Sequence, residues 1–392
     1  MNVTLRQVIR TSLYYGLVGF GGGYSVLAQL RRELVDRRKW LSADEFLVLA
    51  ELSKSLPGTP ATTLMALLGQ RVRGVVGGVA AAAGFLVPST LLMIACGAAY
   101  SLVRAATGLS LFFDGMNAAM VGIVGAVTVD LGKAALRTRL DVVLALVCGA
   151  LLASRIVSEP ALAGAAVAIG VARAAWQGPP PPPLEGDRAT RPPPKSERLH
   201  SFFPAVALPL LGVGGLTAVA ALVRVFVPIG VMTFGGGLAM IPAIEHTVVI
   251  EQHWLDSKAF ADAIALGQIT PGPVAICATF IGYRVAGILG ALAATVAMFA
   301  PATAVALAAG HSIERFRSSI LVQGALRALA PAVIGMLAAA TFSLGRAAVG
   351  VHLDVALAIV SFGVLVWRPV SPLWLLVGGG TIRLAFAWLM AR

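Results

Sequence analysis

Residues 20–58 contain Phe20-Gly21-Gly22-Gly23, then Trp40-Leu41, Phe46, Leu52 and Pro57-Gly58. Residues 234–272 contain Phe234-Gly235-Gly236-Gly237, then Trp254-Leu255, Phe260, Leu266 and Pro271-Gly272, at a constant offset of 214. Beyond the Pro-Gly the offset becomes 213, as if Thr59 were inserted. Gly69-Gln70-Arg71-Val72 then matches Gly282-Tyr283-Arg284-Val285, Gly74 matches Gly287, Pro88 matches Pro301, and Leu140-Asp141 matches Leu353-Asp354. A register kept over so many positions marks a duplicated unit, not shared hydrophobicity.

The duplicated unit is strongly apolar. Of 392 residues, 58% are hydrophobic and only 12% charged, about half the ~25% charge of a soluble domain. Mean hydropathy is +0.87. This composition excludes a soluble enzyme, a disordered chain and a coiled coil. Apolar runs of about 20 residues recur along the chain, which predicts an all-α polytopic membrane protein. A barrel would instead show alternating segments of ~10 residues. The net charge of +12 fits Lys and Arg in cytoplasmic loops. No basic run is interleaved with the aromatics that base stacking needs, so no nucleic-acid partner is expected. Cys96, Cys148 and Cys277 sit singly in apolar stretches and read as small buried residues, so neither a metal nor a cofactor is expected.

A Pro-rich, charged segment at 177–200, with Pro179 to Pro183 and Pro192 to Pro194, reads as an extended cytoplasmic linker. It separates an N-terminal repeat, 1–176, from a C-terminal repeat, 201–392. Full spans are expected near 75–103, 110–132, 140–157 and 160–176, then near 288–310, 320–345, 353–367 and 372–391. An extra span is expected at 202–222. The early blocks, 4–38 and 43–71 with their copies 224–252 and 257–284, are each interrupted by a helix breaker. Ser42 and Asp256 are placed to cap the helices that follow Trp-Leu. Asp141 and Asp354 read as stabilisers of helix N-termini.

Charge predicts the orientation. Residues 31–39 carry a net +3, whereas the equivalent 245–253 carry a net −2. Equivalent loops of opposite sign belong on opposite sides of a membrane, which makes the repeats inverted in topology and puts Arg104 outside. The trace closes if each early block enters and leaves on one side, as a broken or re-entrant helix.

Inverted repeats with Gly- and Pro-broken helices are the general plan of secondary transporters. Backbone that leaves the helix at membrane depth must be satisfied by protein, water or ligand. A half-helix starting at the break offers free N–H groups and a positive dipole end, which suits an anion. The candidate substrate residues are therefore Gly21, Gly22, Gly23, Tyr24, Ser25, Pro57, Gly58, Thr59, Thr62 and Thr63. In the second copy they are Gly235, Gly236, Gly237, Thr270, Pro271, Gly272 and Pro273, with Thr279 as a further hydroxyl. Lys54, a charge in an apolar block, is a candidate substrate-facing cation, and its copy is Gln268. Glu51 either carries a coupling proton or pairs with Lys54. Arg71 and Arg284 are equivalent charges that either reach the site or signal orientation. His246 and His253 read as a solvated loop.

The Phe-Gly-Gly-Gly motif, the Trp-Leu with its following Phe, Pro271-Gly272-Pro273 and Gly282-Tyr283-Arg284 together resemble the chromate ion transporter family in its long, two-repeat form. The resemblance covers the chain outside the linker. It implies a bacterial inner-membrane protein that exports chromate, coupled to protons, and confers chromate resistance. The first copy departs from the pattern, with Pro57-Gly58-Thr59-Pro60 and with Gln70 in place of Tyr. Sulfate, a tetrahedral dianion of similar size, is the alternative substrate, and a channel of the same fold is the alternative transport mode. A homodimer is the oligomer left open. No metalloprotease, aspartyl or GxSxG constellation marks the chain as an intramembrane enzyme.

Overall fold

The computed structural model describes residues 3–19, 27, 29–136, 138–154, 157, 159–177, 213–232, 240–311, 320–348, 350–368 and 370–390. Among them there are helices and no strand. In the first repeat these are α1 (Leu5–Val18), α2 (Ala43–Ser55), α3 (Pro60–Ala105), α4 (Thr107–Ala135), α5 (Arg139–Ala153) and α6 (Glu159–Gln177). In the second they are α7 (Val213–Met232), α8 (Ile241–Glu245), α9 (Ser257–Ile269), α10 (Cys277–His311), α11 (Ile320–Ala348), α12 (His352–Trp367) and α13 (Pro372–Met390). Among the described residues, five stretches are long and apolar enough to cross a membrane: Pro60–Leu102, Gly108–Lys133, Val274–Gly310, Ala328–Arg346 and Pro372–Met390. The protein is a multi-pass, all-α membrane protein.

The duplication extends to backbone detail. A π-helical turn at Arg32–Arg37 recurs at His246–Glu251. Each turn ends in a non-glycine residue at positive φ: Lys39 and its copy His253 are both at +52°. Ser42 and Asp256 cap α2 and α9 as expected, their side chains accepting from the amides of Glu45 and Ala259. Thr138 with Asp141 caps α5, and the Asp354 carboxylate accepts from Gly350 N–H and Val351 N–H ahead of α12.

The long helices α3 and α10 are hairpins, not single rods. Non-helical angles at Arg73 and Gly74 (φ +66°) reverse α3, and Ala286 and Gly287 (φ +62°) reverse α10. Glycine tolerates that φ without steric cost. The short first arm then lies against the second. Gly69 faces Gly77 and Ala81, and Gly282 faces Gly290 and Ala294, so closely that a Cβ at either would overlap the opposing backbone. Lipid gives helices no hydrophobic reason to associate, so close contact through small residues is what holds such arms together. The reversals fall where the spans near 75–103 and 288–310 were expected to begin.

The repeats interlock. Gly122 of α4 meets Ala358 of α12, and the copy of this contact joins Gly335 of α11 to Ala145 of α5. Gly115 of α4 meets Arg383 of α13, and Ala328 of α11 meets Gly170 of α6. Thus α4 packs on helices of the second half and α11 on helices of the first. The hairpins α3 and α10 run antiparallel: Gly78 meets Leu307 at one end, and Gly97 meets Tyr283 at the other.

One expected boundary is absent. The extra span at 202–222 was to end before the 224–252 block, but α7 runs through from Val213 to Met232. This helix is equivalent to α1, as Gly16 on Phe85 and Gly230 on Met298 show. Residues 202–212 and the linker, apart from Gln177, lie outside the described residues.

Candidate functional site

The Pro-Gly breaks form the tips of two further hairpins. The helix α2 descends to Pro57-Gly58, and the first arm of α3 returns. Arg71, near the end of that arm, meets Glu45 at the start of α2, with Nη2 to Oε1 at 2.5 Å. Burial would push the Glu45 carboxyl up, but hydrogen bonds from the Ser42 amide and Arg71 outweigh it and hold the group below the usual carboxylate range. In the second copy Arg284 lies over the Tyr100 ring, 5.2 Å from its centroid. The Tyr100 hydroxyl reaches Asp262 in the second turn of α9, near the mouth of that hairpin. Arm and descending helix therefore come together there as well.

At the tips, Gly58 has φ +102° and Gly272 has φ +111°, a region open to glycine and strained for other residues. Each tip packs on the other repeat. A Cβ on Gly58 would stand 2.6 Å from that of Ala302 in α10, while one on Gly272 would stand 3.1 Å from Ser89 Oγ in α3. Ala302 and Ser89 are themselves equivalent, each following a helix-interior proline, Pro301 and Pro88. These prolines lie midway along the second arms, so both tips sit at the mid-height of helices that can cross a bilayer. The Gly272 N–H donates to the Gly19 carbonyl just past α1, at 3.1 Å. The end of α1 and the second Pro-Gly thus meet at that level.

Polar groups gather at the tips. Thr59, Thr62 and Thr63 are buried. Thr59 Oγ1 donates to Thr62 Oγ1 at 2.9 Å, and Thr63 Oγ1 faces the Pro57 carbonyl at 3.5 Å. Thr59 precedes Pro60, the first residue of α3, so amides of the first turn have no partner within the helix. In the second copy Pro271 and Pro273 are buried around Gly272, and a 3₁₀ turn, Val274–Ile276, opens the helix. Thr270 donates to the Leu266 carbonyl at 2.7 Å and lies 3.4 Å from Met93 Sδ. Gln268 Nε2 is buried and has no hydrogen-bond partner among the described residues.

Other candidates are placed differently. Lys54, the copy of Gln268, is partly exposed and pairs with Glu51 at 2.8 Å, the charge-pairing alternative for Glu51. Thr279 is spent on Thr295 at 2.6 Å, away from the tips. His246 pairs with Glu251 at 3.1 Å. Gly21, Gly22, Gly23, Tyr24, Ser25, Gly235, Gly236 and Gly237 lie outside the described residues.

Sequence reasoning passed over a buried polar centre. Asp262 is fully buried and accepts from Tyr100 Oη at 2.5 Å, Arg104 Nε at 2.8 Å, Arg104 Nη2 at 2.7 Å and Asn117 Nδ2 at 2.6 Å. Arg104 Nη1 continues to Asp114 at 3.0 Å, and Lys258 closes on the same Asp114 oxygen at 2.9 Å. Asp262 stands in the apolar run Ala261 to Leu266, so the cost of an intramembrane charge that singled out Lys54 applies to it equally.

Comparison with known proteins agrees with this architecture. The chromate transporter family matches residues 6–171 and 220–384. A chromate transport protein of Cupriavidus metallidurans is 33% identical over 301 residues, covering 76% of this chain and 72% of the relative. A probable chromate transport protein of Synechococcus elongatus is 29% identical over 346 residues, covering 88% and 85%. A chromate transport protein of Pseudomonas aeruginosa is 29% identical over 362 residues, covering 87% and 81%. No solved structure matches the chain. The chain belongs to the chromate transporter family.

Proposed function

We propose that the protein is a secondary transporter that moves chromate out across a bacterial inner membrane, coupled to protons, and so confers chromate resistance. One observation carries the reading: the Gly272 amide meets the Gly19 carbonyl beside Ser89, so a helix end and a Pro-Gly tip converge midway along spanning helices. Such a centre offers amides and hydroxyls at a depth where nothing else solvates an anion. The donors assigned to the dianion are the first-turn amides after Thr59 and Pro273, the hydroxyls of the first tip, the orphaned Gln268 amide and Lys54.

The antiparallel run of α3 and α10 supports a pseudo-two-fold axis in the membrane plane. With the charge difference between 31–39 and 245–253 it supports an inverted topology, the basic loop inside. The units 1–176 and 201–392 are then two half-transporters joined by the 177–200 linker. Everted vesicles containing the protein are expected to take up labelled chromate, faster with an imposed pH gradient and more slowly with excess sulfate as competitor. No uptake above vesicles lacking the protein would reject the transport reading. Uptake indifferent to the gradient would reject the coupling.

A further inference from the structure

The centre around Asp262 joins three elements. Asp262 belongs to α9, which ends at the second Pro-Gly tip. Tyr100 and Arg104 belong to the last turns of α3, and Asn117 and Asp114 to α4. Ser89, Met93, Tyr100 and Arg104 recur at helical spacing along one side of α3. They meet Gly272, Thr270, Asp262 and Asp262 in turn. That face of α3 therefore covers the α9 hairpin from its tip to its mouth, and the ion pair stands at the mouth.

We propose that the Arg104–Asp262 pair is a latch that closes the transport path at the mouth of the second hairpin and opens in each transport cycle. The proposal rests on the reading of the protein as a transporter. Four donors converge on the one carboxylate, and the Arg104 side chain is 15% exposed while Asp262 is fully buried. A buried pair of this kind contributes little net stability over apolar packing, yet breaking one side of it is costly. It therefore suits a contact with two discrete states better than it suits a glue. Asp114 is ready for the open state, because it already holds Arg104 and Lys258 and keeps the guanidinium paired when Asp262 moves away.

Among the described residues the latch is one-sided. The position equivalent to Asp262 in the first repeat is Val48, which is exposed. The first hairpin is instead closed at its mouth by the solvent-exposed pair Arg71–Glu45. Among the described residues, two hairpins of like backbone thus carry gates of unequal chemistry.

The test uses the full chain with Cys96, Cys148 and Cys277 changed to Ser and a reporter Ser89→Cys beneath the latch. Its rate of reaction with an impermeant maleimide is measured from each side of sealed vesicles. Asp262→Asn is expected to raise that rate about tenfold or more from the latch side alone. The charge-swapped Arg104→Asp/Asp262→Arg is expected to bring it back down. An unchanged rate, or a rise of equal size from both sides, would overturn the latch. Where Asp262→Asn does not insert, Arg104→Gln/Asp262→Asn leaves no unpaired buried charge. One-sided opening in that variant supports the latch, and its failure to insert assigns the pair to folding and overturns it. Labelling needs no chromate. A parent that moves no chromate therefore rejects the transport reading separately.

Discussion

Glu45 and Arg71 stand 26 residues apart in sequence and 2.5 Å apart in space. Their contact brings the start of α2 beside the end of the arm that follows it. Pro57-Gly58 is then the tip of a loop that enters and leaves on one face, and not a kink in a crossing helix.

The side on which each mouth opens is directly measurable. A Cys at Gln252 is expected to react with an impermeant reagent added from the periplasm, and a Cys at Arg37 only from the cytoplasm. Both residues are exposed and at equivalent ends of the two copies. Reaction of both from the same side would reject the inverted arrangement.

The two tips should differ in tolerance. Gly58→Ala adds a methyl 2.6 Å from Ala302 Cβ, while Gly272→Ala meets the lighter contact with Ser89. Both incur the positive-φ penalty of about 1–2 kcal/mol, and the first adds overpacking of about 1–3 kcal/mol. Detergent melting curves are expected to rank Gly58→Ala as the more damaging, with chromate transport lost in both. Equal melting temperatures for the two variants would contradict the packing.

Gly122 and Gly335 occupy equivalent places where helices of opposite halves touch. Val at either is expected to push α4 off α12 or α11 off α5, at a cost of at least ~1–3 kcal/mol. Size-exclusion yield and melting temperature report it. Gly164→Val, where a Cβ meets nothing within 4 Å, is the control and should behave like the parent.

Glu33 lies in the first π-helical turn with its side chain 10% exposed, held by Arg38 at 2.5 Å and Arg37 at 3.3 Å. Burial would raise its carboxyl, but the two guanidinium groups outweigh burial and lower it. A carboxyl lowered by folding stabilises the protein above its unfolded pKa, and that contribution is lost as pH falls through the folded value. Melting temperature should therefore fall on acidification below the ordinary carboxylate range. Glu33→Gln should start lower at neutral pH and lose part of that dependence. An identical acid profile for both proteins would sink this assignment.

Lys54→Gln converts the first copy to the residue of the second. The Lys54–Glu51 pair is exposed, and such pairs contribute about 0–1 kcal/mol, so melting should barely move. KM for chromate is expected to rise several-fold with kcat nearly kept. Glu51→Gln, which removes the Lys54–Glu51 ion pair, should leave KM near the parent value. A Lys54→Gln protein with unaltered KM would remove this lysine from the site.

Much of this architecture was legible because glycine, proline and capping residues act locally. Gly74 and Gly287 lie where the spans were expected to begin, since a reversal at positive φ needs glycine whatever surrounds it. Ser42 and Asp256 cap because capping needs only the following turn. The Asp262 centre was not legible: its partners Tyr100, Arg104 and Asn117 lie 145 to 162 residues away. Only the cost of a lone carboxylate in an apolar run pointed to it. The continuity of α7 past residue 223 was hidden for the opposite reason. Both sides of the expected boundary are apolar, so hydropathy alone marks no helix end there.

The crossing contacts of α4 with α12 and α13 govern how the chain is made. When α4 leaves the ribosome, the helices it packs against are still some two hundred residues from being synthesised. The first half must wait in the bilayer with its small-residue seams uncovered, and α5 and α6 wait likewise for α11. Assembly is therefore a late event that waits for α13 to close on Gly115. The peptide between the halves acts as a tether that keeps the waiting half near its own complement and away from another nascent chain.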